Sequence, residues 1–253
     1  MNISQHCFDT DIVIFNIGDV HRGDEGCNTK LFYKVIAEVQ RMDNARWVST
    51  GDLLNVALKT SKSDCYKSKP LGQEMKLLEE ELKPIASKCL GLVESNHHRR
   101  FDLLTGMSLD EQICGRLNIP FLGKLGILNV TCERNTYFIV MHHGTGAGKK
   151  RGSKTNSTEA LGELIPAADV YMEGHTHSFD HFVDETSYID RKRGSLVCQE
   201  STFVVTGHFL NWEESYAMDM KLPSRPKGSA VIELTASNQG KRSSKKIRVD
   251  LFR

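Results

Sequence analysis

Short apolar runs recur through the first half of the chain, each closed by a glycine or a polar residue, and segments of helical spacing separate them. Ile12 to Ile17 is an apolar run ending at Gly18 and predicts a buried strand. Asn28 to Met42 sets Leu31, Val35, Ile36 and Val39 on one helical face, with Asn28 as its cap. Arg46 to Thr50 is a short strand before Gly51. Leu71 to Cys89 has a helical pattern that should break near Pro84, because proline removes a donor and crowds the preceding turn. Leu90 to Glu94, Ile127 to Cys132, Tyr137 to Met141 and Val170 to Met172 are strand-like. Between the last two, Lys149 to Lys154 reads as a Gly/Lys-rich loop. Asn156 and Glu159 then form a capping box opening a short helix to Pro166.

From Phe179 onward strands and turns dominate, clearest at Ser195 to Val205 and Ala230 to Leu234, with Arg191-Lys192-Arg193 as a hairpin turn. The tail, Lys241 to Arg253, alternates Ile247, Val249 and Leu251 and predicts an edge strand. Strand–helix alternation in the first half suggests βαβ units and a largely parallel sheet. A mixed α/β sandwich fits both halves, and no Pro- or Ser-rich linker divides the chain. The expectation is one domain over 1–253.

The chain has 253 residues with 39% hydrophobic and 26% charged, the balance of a globular protein with a sizeable core. Its net charge of +1 advertises neither nucleic acid nor membrane, although a local basic rim would not show in that sum. Met1 to Thr10 has no basic or apolar region of a secretory signal, and no apolar run approaches the roughly 20 residues that span a bilayer. Cysteines stand at 7, 27, 65, 89, 114, 132 and 198, an odd count with no CxxC pair. That argues for reduced, mostly buried thiols and a cytoplasmic setting.

The chemically interesting residues share one placement, just after apolar runs. They are Asp19 and His21, Asp52, Asn96 and His97, His142 and His143, and His175 and His177. In open α/β folds ligands gather at the carboxyl ends of strands, so these side chains should converge. Carboxylate, imidazole and amide donors without thiolate suit Mn²⁺, Fe or Zn²⁺ better than an all-oxygen calcium cage. They are too many for one tetrahedral zinc but fit two metals roughly 3.5–4 Å apart with a shared carboxylate. Singly, each motif has an ordinary reading as a turn or as a core histidine. Five in this order are specific.

Gly18-Asp19-Val20-His21, Gly51-Asp52-Leu53-Leu54-Asn55, Asn96-His97, His143-Gly144 and Gly174-His175-Thr176-His177 resemble, in order, the five signatures of the calcineurin-like metallophosphoesterase superfamily. The longer stretches Gly51-Asp52-Leu53-Leu54-Asn55, Asn96-His97-His98-Arg99-Arg100 and His143-Gly144-Thr145-Gly146 resemble its phage and prophage members in particular. The resemblance spans about two thirds of the chain. It implies a four-layer fold of two mixed β-sheets flanked by helices. It also implies two divalent ions, with Mn first and Fe, Zn, Ni or Mg as alternatives. Asp19, His21 and His177 would bind one ion, and Asn96, His143 and His175 the other. Asp52 would bridge them, and His97 would protonate the leaving oxygen as general acid. His143 is preferred over His142 because the family histidine directly precedes glycine.

Two departures stand out. The family's third motif carries glycine and an acid where this chain has Ser95 and His98. A neutral His98 supplies no charge to support His97, so either another acid, with Asp24 and Asp102 as the candidates, substitutes or His97 is a weaker acid here. The implied function is phosphoester hydrolysis, first a phosphodiester in nucleic acid or a nucleotide. A phosphomonoesterase is the rival, weakened because Val56-Ala57 stand where phosphoprotein phosphatases carry arginine and glycine. A catalytically weakened metal-binding scaffold is the other. Arg99, Arg100, Lys149, Lys150 and Arg151 are the expected phosphate contacts. The glycines of the 149–154 segment would let it close over an extended substrate.

Overall fold

The computed structural model describes residues 2–58, 70–145, 148, 150–215, 221, 223–236 and 245–253. Within them the chain is mixed α/β, with five α-helices and eleven strands. The strands are β1 Asn2–Phe8, β2 Ile12–Asn16, β3 Ala45–Ser49, β4 Cys89–Leu92, β5 Leu125–Cys132 and β6 Asn135–His142. After these come β7 Val170–Glu173, β8 Phe179–Asp190, β9 Ser195–His208, β10 Gly228–Leu234 and β11 Ile247–Phe252. The helices are α1 Thr29–Arg41, α2 Leu71–Leu82, α3 Asn96–Thr105, α4 Leu109–Leu117 and α5 Arg151–Leu164.

The sheet runs β1-β5-β6-β7-β9-β10-β2-β3-β4, with β8 on β9 and β11 on β10. Strands β2, β3 and β4 are parallel neighbours, as are β6, β7 and β9. The sheet stays continuous where β10 meets β9 at Gly228–His208 and Ser229–Gly207. Its ends also approach, since the His6 ring on β1 lies 3.0 Å from the Leu90 carbonyl on β4. The described strands therefore make a nearly closed, barrel-like sheet rather than two cleanly separate ones. Inside it Ile12, Ile14, Val48, Leu128, Ile139, Met172, Val204 and Ile232 form one apolar core. A second cluster packs α1, α2 and α4 on β2 and β3, and a third sits under α5. Each fully buried Leu, Ile or Phe contributes about 1.5–3 kcal/mol.

The helical pattern of α1 emerges as read, with Leu31, Phe32, Val35, Ile36 and Val39 buried and the Asn28 side chain accepting from the Leu31 amide. The break near Pro84 is a change of helix type: α2 stops at Leu82 and a 3₁₀ segment, Lys83–Lys88, follows. There the Ile85 carbonyl accepts from the buried Trp47 indole at 2.7 Å. The capping box at Asn156 and Glu159 does not form. Helix α5 starts five residues earlier, at Arg151, so Arg151 to Lys154 is its first turn and not a loop. Burial of Lys154 and of Thr158, whose hydroxyl donates to Glu173 at 3.0 Å, overrides the local signal. Strand β1 was absent from the sequence pattern because a half-exposed edge strand shows little apolar content. Cys27, Cys89, Cys114 and Cys132 are buried as expected, whereas Cys7 and Cys198 are exposed. No described helix is long and apolar enough to cross a membrane.

Candidate metal centre

The loops that leave the carboxyl ends of β2, β3, β4, β6 and β7 deliver all seven expected ligands and His97 to one place. Backbone conformation is the first sign that these loops are specialised. Asp19, His21, Asp52, His175 and His177 all have positive φ, between 47° and 64°. Left-handed backbone is uncommon for residues with a side chain and costs of order 1–3 kcal/mol, so its concentration here marks a functional site. The glycines divide the remaining work in two ways. Gly51 and Gly144 adopt φ near 100° and make the turns. Gly18 and Gly174 instead permit close approach, since a Cβ on Gly174 would lie 2.6 Å from Asp19 Oδ2.

Asp52 is the hub. Its Oδ2 lies 3.2 Å from His143 Nε2 and 3.8 Å from the Nε2 atoms of both His21 and His97. Its Oδ1 accepts the His97 backbone amide at the start of α3, at 3.1 Å, where the helix dipole favours negative charge. Asp19 organises the other side: its carboxylate accepts from the His175 amide at 2.8 Å and stands 3.4 Å from His177 Nε2. The Nε2 atoms of His21 and His177 face each other at 2.9 Å. Three overlapping donor groups result, Asp19–His21–His177, His21–Asp52–His97 and Asp52–His143–His175, each with its ligand atoms within 4.8 Å.

The residues fit a metal. Asp52 Oδ2, His143 Nε2 and Asn96 Oδ1 are buried without a hydrogen-bond partner. The 3.2 Å approach of the first two is an ion-pair contact, not a directed hydrogen bond. Buried polar atoms left this way cost about 1–3 kcal/mol each, a cost that a cation would remove. The imidazoles are also held by their rear nitrogens. His143 Nδ1 sits 2.7 Å from the Thr50 carbonyl, and His97 Nδ1 is 2.9 Å from the Asn55 carbonyl. Both Nε2 atoms are thereby aimed inward, as outer partners of metal-binding histidines do. Burial keeps His21, His97 and His175 below their ordinary pKa; a neighbouring imidazole adds to this at His21 and His175, whereas Asp52 opposes it at His97. Neutral imidazole is the form that binds metal. Burial opposes ionisation of Asp52, but His143 and His97 hold its carboxyl well below the usual range. Burial likewise works against His143, and Asp52 overrides it to about 10. Without a metal Asp52 thus holds a proton on His143, and a divalent cation bound there would have to displace it.

The Ser95 and His98 departures explain one another. His98 is turned away from the hub, with Nδ1 at 2.6 Å from Asp110 Oδ1 and Nε2 accepting the Leu54 amide at 3.0 Å. Although Asp110 raises the His98 pKa against burial, the Leu54 donor occupies the second nitrogen, so the neutral tautomer fits. Ser95 Oγ donates to Asp110 at 3.0 Å and accepts the Asp52 amide at 2.8 Å. The three buried residues clamp the Asp52 loop. Asp110, one helix downstream, is the acid that pairs with His98 and Ser95; it does not stand in as a partner of His97, whose Nδ1 meets the Asn55 carbonyl. Of the two candidates for that role, Asp102 accepts the Leu109 amide and Asp24 the Gly26 amide.

The basic residues separate. Arg100 is half-buried and its charge reaches His97, whereas Arg99 is exposed and pairs with Glu94 at 3.5 Å. Lys149 lies outside the described residues. Lys150 is exposed, and Arg151 is 74% exposed and paired with Asp180. Arg22 is taken up by Glu81 at 3.0 Å and Glu74 at 3.6 Å. Two further groups join the site. His208 stacks on His177 with centroids 5.5 Å apart, and burial with His177 lowers its pKa to about 3. Gly207-His208 repeats the glycine–histidine signature at the end of β9, so a pattern search could have found it. Lys154 is buried and donates to the Thr176 carbonyl, between the candidate ligands His175 and His177, at 2.5 Å. Burial, and then Arg225, lowers its pKa to about 8. His142 accepts the Gly144 amide at 2.9 Å and braces that turn.

No protein-family model matches the chain, and no curated protein matches it either.

Proposed function

We propose that this protein is a dinuclear-metal phosphoesterase of the calcineurin-like kind, acting first on phosphodiesters. The single observation that carries the reading is the hub at Asp52. One carboxylate oxygen has three imidazole Nε2 atoms within 3.8 Å, and a second carboxylate–imidazole group shares His21 with it. That donor set suits two ions sharing Asp52, the first held by Asp19, His21 and His177 and the second by Asn96, His143 and His175. Mn²⁺ is the first candidate. Bound divalent ions in such a site supply an activated water and neutralise phosphoryl charge.

The chain's own residues do the rest. His97 has its Nδ1 committed to the Asn55 carbonyl, so only Nε2 can exchange a proton with substrate. Burial lowers its pKa and Asp52 opposes this, so an arriving phosphate would restore the proton the leaving oxygen needs. Arg100, whose charge reaches His97, is positioned to meet that phosphate. The four-layer architecture belongs to the same reading, with the short β9–β10 contact as the seam between two facing sheets.

Metal analysis of purified protein, with rates on bis-(4-nitrophenyl) phosphate and 4-nitrophenyl phosphate, tests the proposal. Two equivalents of metal and faster diester turnover are expected. Metal with no hydrolysis of either compound would favour a scaffold, and faster monoester turnover a phosphomonoesterase.

A further inference from the structure

We propose that Lys154 and Arg225 extend the metal centre into a basic pocket that grips the phosphates flanking the cleaved one in a nucleic-acid strand. The proposal rests on the phosphodiesterase reading above and names its substrate class.

The pocket, of about 470 Å³, has eight lining residues. Five are cations, Lys30, Lys34, Arg225, Lys227 and Arg253, and none is acidic. In a chain whose net charge is only +1, this is a strong local concentration. Lys30 and Leu31 belong to the first turn of α1, whose dipole adds positive potential there. The pocket is joined to the metal centre through side chains already placed. His208 stacks on His177, and in the β9–β10 register it pairs with Gly228, next to Lys227 of the pocket. Arg225 acts on Lys154 and also lines the pocket. Cations therefore stand both at the carbonyl between His175 and His177, as Lys154, and around the pocket beside α1.

Substrate class follows from that layout. A small monoester or diester presents one phosphate and would be satisfied at the metals. Cations set away from the metals reach phosphate only on a ligand that carries several, which would compete with the chain oxygens that Lys34, Lys154 and Lys227 now hold. Phosphate contacts of this kind position a strand without reading its sequence. The volume lies within the usual range of ligand pockets and exceeds what a single phosphate needs.

The test is fluorescence anisotropy with a labelled single-stranded phosphorothioate oligonucleotide, which resists cleavage, titrated at several salt concentrations. The triple variant Lys30→Gln, Lys34→Gln, Lys227→Gln should bind at least about tenfold more weakly, with a salt slope shallower by about 2, as three lost contacts on a single strand predict. Circular dichroism and metal content check its fold, because Lys227 holds Asn211 Oδ1 at 2.7 Å and Lys34 the Arg253 main-chain oxygen. If the triple variant fails to fold, Lys30→Glu alone, at an exposed position, should still weaken binding about threefold. Unchanged affinity and slope in a folded variant would overturn the proposal. So would tight binding of inorganic polyphosphate by a protein that leaves the oligonucleotide unbound. Absence of nitrophenyl diester hydrolysis would sink the enzyme reading instead, while the binding comparison would still report on the pocket.

Discussion

Helices α3 and α5 both begin beside the candidate metal centre, and their first turns are built on opposite principles. At α3 the polar groups are committed: the His97 amide to Asp52, the Ser95 amide and hydroxyl to Asp110, and the His98 ring to Asp110 and Leu54. At α5 the residue before the first turn, Lys150, makes no side-chain cap bond, and the exposed Arg151 pairs with the buried Asp180. Only Lys154, one turn further, folds back into the centre. The first arrangement fixes geometry, because a buried network has no cheap alternative. The second offers charge that water and salt screen. Changes at α3 and its partners should therefore act on metal and turnover, and changes at the start of α5 should act weakly.

The largest effect is expected at the point where α3 meets the hub. Asp52→Asn removes the shared charge, and metal affinity should fall by more than the roughly 100-fold typical of outer partners. Asn55→Ala should cost far less, since the contact to His97 is made by the Asn55 backbone carbonyl. Elemental analysis with activity decides it; an Asp52→Asn protein that keeps two metals and most of its rate would break the hub. His97→Ala comes next. It should retain metal but lose about 10²–10⁴-fold in rate. Substrates with good leaving groups should be spared, so equal losses across leaving groups would remove the general-acid role. Third, Asp110→Asn strips a charged partner from Ser95 and His98. A buried hydrogen bond to a charged group is worth about 1.5–3 kcal/mol, so melting should fall by roughly 3–12 °C. A melting temperature unchanged within error would mean that the clamp bears no load.

The strand-end residues were legible because their signal is local. An apolar run fixes a strand, and the polar residue after it must emerge at that strand's carboxyl end. Asp19, Asp52, His143 and His175 were found that way, and the helical face of α1 followed equally from local periodicity. What sequence could not show depended on distant partners. Asp110 joins Ser95 only because α4 packs against α3, and α5 starts early only because Lys154 and Thr158 find Thr176 and Glu173. Nor did any sequence signal announce left-handed backbone at aspartate and histidine, residues tolerant of that region but not defined by it.

The smallest effect is expected from Lys150→Gln combined with Arg151→Gln, and it probes the other half of the comparison. From sequence these bases, with Lys149, were the natural grip for flanking phosphates. Arg151 instead stands 74% exposed at the head of α5 with Asp180 as its partner, so a phosphate would have to displace that carboxylate. Only the arginine side of the pair is exposed, and the buried Asp180 carboxylate keeps the His181 amide at 3.0 Å as a donor when Arg151 is gone. The double variant should melt with the parent and hydrolyse a nitrophenyl diester at the parent rate. Its KM for a polynucleotide should rise less than about threefold, the share of one or two screened contacts at moderate salt. Steady-state kinetics at two salt concentrations would measure this. A tenfold rise in KM with a flatter salt dependence would make the start of α5 the principal phosphate grip. The open first turn would then be a binding surface, and the contrast with α3 would be one of two working parts, not of scaffold against solvent.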